Sequence, residues 1–125
     1  VLVVVDPVTQ VEWVVPPFAT VESTLRRAAQ AREGELVRVV IGPDHTTPYA
    51  LWMGNDAVHE PDAIGIPPAV AQDLREWQEF WSRGFWPEAR WSSPSQEAIF
   101  EAEGERLQTA VEALLWNVAV VVRGF

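Results

Sequence analysis

The chain of 125 residues contains no cysteine. That absence removes disulfides, thiolate nucleophiles, cysteine-ligated zinc and iron–sulfur clusters as sources of stability or chemistry. Lysine is also missing, so all nine cationic side chains are arginine, a bias that follows from a GC-rich genome and says nothing of function. No apolar run approaches the ~18 residues a membrane-spanning helix needs. The valine-rich start is interrupted by Asp6-Pro7 and has no basic residue before it, which does not fit a signal peptide. A cytoplasmic protein without membrane contact is expected. Basic patches are absent as well. A net charge of −9 repels phosphate, so nucleic acid is not an expected partner.

What is present is acid and tryptophan. Residues 1–41 carry five acids against four arginines, whereas residues 42–116 carry thirteen against four, so the acidity belongs to the second part of the chain. Such a surface keeps an apolar chain soluble, and it also suits a basic protein partner. Five of the seven tryptophans fall between Trp77 and Trp116. A chain of this length buries a sizeable core, and no repeat or linker divides it, so one domain over 1–125 is expected.

Val1–Val5 and Val11–Val15 are β-branched runs that read as two strands, the second stopped by Pro16-Pro17. Thr20 is placed as the N-cap of a helix whose face is Val21, Leu25, Ala28 and Ala29, ending at Gly34. Leu36–Ile41 and Tyr49–Met53 form a second pair of strands around a turn-rich GPDHTTP segment. Residues 54–66 read as a loop. Pro67-Pro68 then opens a helix on which Val70, Leu74, Trp77 and Trp81 make one stripe as far as Gly84. The segment FWPEARW reads as an aromatic loop held by Pro87. Ser93, Pro94 and Gln96 start a third helix running to about Leu115, with Phe100, Leu107, Val111 and Leu114 inward. Val118–Val122 is apolar enough to suggest a central or covered strand. The order β-β-α-β-β-α-α-β predicts an α+β fold: one mixed or antiparallel sheet of about five strands with three helices against it.

Four features are candidates for function. Asp56, His59 and Asp62 in the 54–66 loop offer three metal-ligand types at a spacing that matches no established metal motif; turn-forming residues of a solvated loop look the same. Glu103 lies about 40° from the centre of the third helix's inward face. It therefore needs an arginine or tryptophan N–H partner, or else is an acid with a catalytic role. Gly104, on that same face, leaves room for Trp77 or Trp81. Glu97, Glu101 and Glu105 recur every fourth residue and form either a solvated face or a docking stripe for a basic partner. The loop tryptophans Trp86 and Trp91 either close over the core or stand as a contact surface.

No nucleotide-binding glycine motif and no assembled catalytic constellation occurs, and neither histidine sits in a nucleophile-elbow pattern. The composition suits a small bacterial or phage protein. The preferred reading is a non-enzymatic interaction domain of immunity, inhibitor or adaptor type without a cofactor, binding through Trp86, Trp91, Glu97, Glu101, Glu103 and Glu105. The alternative is a small enzyme or metal-binding domain built on Asp56, His59 and Asp62. Homodimerisation through a strand edge or the loop aromatics is a third option.

Overall fold

The computed structural model describes residues 1–86 and 88–125. The part expected of Pro87 in holding the aromatic loop therefore lies outside the described residues. Strands β1 (Leu2–Val5) and β2 (Glu12–Val15) pair antiparallel, followed by helix α1 (Val21–Arg32). Strands β3 (Val37–Ile41), β4 (Leu51–Met53) and β5 (Asp56–Ala57), then helices α2 (Pro68–Gly84) and α3 (Pro94–Leu114), lead to β6 (Ala119–Arg123). The class is α+β, in the order read from the sequence plus the two-residue β5.

The strands form two sheets rather than one: β1-β2 alone, and β5-β4-β3-β6. Pro16-Pro17 end the first hairpin, α1 packs on that hairpin, and among the described residues its strands pair only with each other. The first helix uses the expected face only in part: Ala28 is buried and Leu25 and Ala29 are half-buried. Its capping box joins Thr20 and Ser23 as the local sequence requires, but Val21 is exposed and the buried side chains are Thr24, Arg27 and Ala28. Burial lowers the tendency of the Arg27 guanidinium to hold its proton, against a smaller opposing pull from Glu112. Arg27 stays satisfied by donating to the carbonyls of Trp116 and Ala119 (2.8 Å to the latter) while lying 4.1 Å over the Trp116 ring. Gln30 and Asn117 exchange hydrogen bonds at the same seam. Hydrogen bonds and one indole thus attach the first 36 residues; the main apolar cluster takes no residue from before Val39.

Asp6 anchors the β1–β2 turn to the end of α1. Its carboxylate is buried and accepts from the Val8 N–H (3.2 Å), the Thr9 hydroxyl (2.9 Å) and Arg32. Burial alone would raise its pKa, but these hydrogen bonds and the Arg32 charge outweigh burial and hold it below the ordinary 3.8. A depressed folded pKa contributes stability that is present above the unfolded value and is lost as pH falls through the folded one. We therefore expect the stability gap between the native chain and Asp6→Asn to be constant near neutrality and to close below about pH 4. Urea midpoints of both proteins between pH 7 and 2.5 measure it; a gap that does not narrow at all below pH 4 removes Asp6 from this role.

In the larger sheet β3 is central, antiparallel to β4 and parallel to β6. β6 is an edge strand, contrary to the expectation of a central or covered one. Ala119 and Val121 lie toward the helices while Val120 is 42% exposed, and a run of valines does not by itself distinguish one-sided from two-sided burial. The 54–66 segment is more ordered than a loop. Gly54, at φ +62, turns β4 back into β5 across a two-residue connection, and Pro61–Ile64 form a 3₁₀ turn closed by Gly65. The strand expected from Tyr49 begins at Leu51, because Ala50 adopts a left-handed φ of 54°.

Helices α2 and α3 pack together over one face of this sheet, where Val39, Ile41 and Leu51 meet Leu74, Trp77, Phe100, Leu107 and Val111. The Ser93 side chain caps α3 by accepting from the Gln96 N–H. At its other end the helix stops one residue early: Leu114 stays 40% exposed, and Leu115, the capping residue, turns into the core instead.

Trp77 is the keystone of the helix pair. Its ring stacks on Phe100 at 4.8 Å, its indole N–H donates to the Phe100 carbonyl (2.9 Å), and it packs against Gly104 as expected from the sequence. A Cβ at 104 would stand 2.7 Å from both Trp77 and Phe125. Phe125, whose ring meets Trp77 edge-on, is the occupant that helical spacing did not announce. No described helix is long and apolar enough to cross a membrane.

Candidate functional site

The acids of α3 divide between two sides. Glu101 and Glu105 point toward the sheet edge, where Arg123 of β6 bridges them. Glu97 is exposed in the first turn of α3, where a carboxylate complements the helix dipole. Glu103 turns the other way, toward α2. It is half-buried and accepts two hydrogen bonds from Arg106, one turn on, at 2.6 and 2.9 Å. Arg106 reaches across to Asp73 of α2 as well (3.0 Å), and its hydrogen bonds to Glu103 and Asp73 raise its pKa above the ordinary guanidinium value. The arginine partner expected of Glu103 is thus Arg106, and the pair stitches α3 to α2.

Beside this stitch a groove of ≈ 190 Å³ runs between the two helices, lined by Asp73, Glu76, Trp77, Phe80, Ile99 and Glu103. Its floor is apolar and its walls carry three carboxylates. Ile99 is 58% exposed, an aliphatic side chain left open to solvent beside acids. Among the described residues Glu76 accepts only from Gln72, on its own helix (3.2 Å). Asp73, Glu76, Ile99 and Arg106 were not singled out from sequence. The i, i+3 acids of α2 flank the stripe containing Trp77, so the signal existed, but its meaning depends on which face of α3 lies opposite.

The aromatic loop closes the adjacent end of the helix pair. Trp91 lies over Gly84, where a Cβ would stand 2.6 Å from its ring, and its ring centroid is 5.0 Å from that of Phe100 and 5.6 Å from that of Phe80. Trp86 meets His45 at 4.5 Å and Trp81 at 6.0 Å. Both loop tryptophans are partly buried, leaving part of each ring on the surface. The Trp86 indole N–H is buried with no partner among the described residues.

The alternative metal site does not assemble. Asp56 stands on β5, His59 lies in the connection beyond it, and Asp62 lies in the 3₁₀ turn. Among the described residues no group of three or more histidine, aspartate or glutamate side chains is placed to hold a metal ion. In the β3–β4 connection Asp44 accepts from the Thr46 N–H and hydroxyl, and His45 meets the rings of Trp81 and Trp86.

No curated protein and no solved structure matches the chain. A family model described as Serratia CdiI immunity protein-like matches residues 38–122. That stretch begins within β3 and ends within β6, and so coincides with the four-stranded sheet and the α2–α3 pair that carries the groove. With most of its length matched, from the central strand to the edge strand, the chain belongs to the Serratia CdiI immunity protein-like family.

Proposed function

We propose that this chain is an immunity protein that binds a toxin protein and neutralises it by occupancy rather than by chemistry, with the acidic α2–α3 face as its docking surface. Family membership carries the functional half of this reading. The groove carries its location: an apolar floor for contact area, bordered by carboxylates that steer a basic partner and fix its register. Glu97, Glu101 and Glu105 extend the negative field along α3, and the exposed parts of Trp86 and Trp91 supply aromatic contact at the end of the face.

The test needs a candidate toxin domain, to be sought among the genes that flank the gene for this chain. Producing the toxin domain alone should arrest growth, and co-producing this chain should restore it, with the two proteins eluting together. The affinity should fall at least tenfold between 50 and 500 mM salt, because charges at the rim of an interface are screened. Absence of a complex rejects the reading; a tight complex indifferent to salt places the interface away from the acidic face.

A further inference from the structure

Building on the proposed docking surface, we infer that the α2–α3 groove is a socket for one arginine side chain of the partner, held by Asp73 and Glu76 with its stem along Ile99 and Phe80. Arg106 shows what these walls accept. Its planar guanidinium already spans two carboxylates on different helices, Glu103 and Asp73. The acceptor count shows what remains. Glu103 gives both oxygens to Arg106, Asp73 gives only Oδ2, and Glu76 gives only Oε1, to Gln72. Among the described residues Asp73 Oδ1 and Glu76 Oε2 are therefore uncommitted, and each carboxylate oxygen has two lone pairs to offer.

These two acids are three residues apart on α2, so they are neighbours on one helix face, at the spacing a forked donor can bridge. The rest of the groove fits the remainder of such a side chain. Phe80 and Ile99 offer apolar surface to a methylene stem, and the Phe80 ring offers a π face to a weakly hydrated planar cation. An ammonium is a compact, strongly hydrated point charge that reaches two separated carboxylates less well, so arginine is preferred over lysine. The charge balance points the same way: three carboxylates line the groove and Arg106 is the one guanidinium bound to them among the described residues, leaving the walls net negative.

Two measurements keep this socket separable from the immunity reading. In the first, the isolated chain is titrated with a capped tri-arginine peptide and, separately, with tri-lysine, while the Ile99 methyl and Trp77 indole NMR signals are followed. Saturable shifts with tri-arginine, several-fold smaller with tri-lysine and abolished by Glu76→Gln, are expected; shifts absent from Ile99, or equal for the two peptides, overturn the socket whether or not a toxin binds. In the second, Glu76→Gln should weaken the toxin complex at least tenfold, while Glu35→Gln, an equal change of net charge beyond the end of α1, stays within twofold. Equal losses for the two variants mean that overall charge, not this groove, is being read, and they overturn the proposal.

Discussion

Trp77→Ala is expected to lower the unfolding free energy by about 4 kcal/mol, near the centre of the 3–5 typical when a buried tryptophan is truncated. The side chain is only 2% exposed and joins three parts of the fold at once. Its ring covers Phe100 of α3, its edge contact reaches Phe125 beyond β6, and its N–H adds a hydrogen bond to the Phe100 carbonyl. Collapse into the resulting space is hindered because Gly104 has no side chain to move into it. Trp77→Phe should recover part of the loss by keeping the stack while giving up the indole hydrogen bond to the Phe100 carbonyl. Urea unfolding followed by circular dichroism, which does not depend on the deleted fluorophore, measures both. A loss under 1.5 kcal/mol for the alanine variant would show that the helix pair is held elsewhere.

The second large effect comes from a backbone that cannot move aside. At the ends of the parallel strands β3 and β6, Gly42 and Gly124 face each other, tied by the Gly124 N–H to the Ile41 carbonyl (2.7 Å) and the Gly42 N–H to the Ala50 carbonyl (2.8 Å). A methyl group on Gly42 would strike the Gly124 carbonyl oxygen and lie 2.8 Å from its carbon. The obstacle is main chain held by hydrogen bonds rather than the tip of a flexible side chain. Gly42→Ala should therefore cost about 3 kcal/mol, the upper end of the usual overpacking range. Gly34→Ala is the comparison. Nothing lies within 4 Å of its Cβ position, and only the left-handed φ of +68° opposes it, at about 1 kcal/mol. Equal losses for the two glycines would remove the close-approach argument.

The sequence announced α2 and α3 because their signals are local. The stripe through Leu74 and Trp77 repeats at the helical period, Ser93-Pro94 with Gln96 marks a helix start, and one glycine on an apolar face asks for a large neighbour. The hairpins were legible for the same reason, since β-branched runs and turn residues lie side by side. What escaped depends on partners distant in the chain. Nothing in AVVVR says that β6 runs parallel to β3 at an edge, nor that β1 and β2 form a sheet of their own. Whether Leu114 or Leu115 is buried depends on where the last turn ends, a difference of one residue. In the candidate site, the acids of α3 could be read as a helical face, but their division between Arg123 and Arg106 needs β6 and α2 in place. The groove itself belongs to neither helix alone.

The missing lysines have a consequence beyond codon usage. At three seams a single guanidinium serves two acceptors at once: Arg27 holds the carbonyls of Trp116 and Ala119, Arg106 joins Glu103 to Asp73, and Arg123 spans Glu101 and Glu105. An ammonium carries the same charge without the planar two-pronged shape. A gene redesigned for a lysine-tolerant host could exchange arginine for lysine freely at exposed, unpaired positions, yet at Arg106 and Arg123, where different guanidinium nitrogens hold the acceptors, it would replace a hinge plate with a single pin.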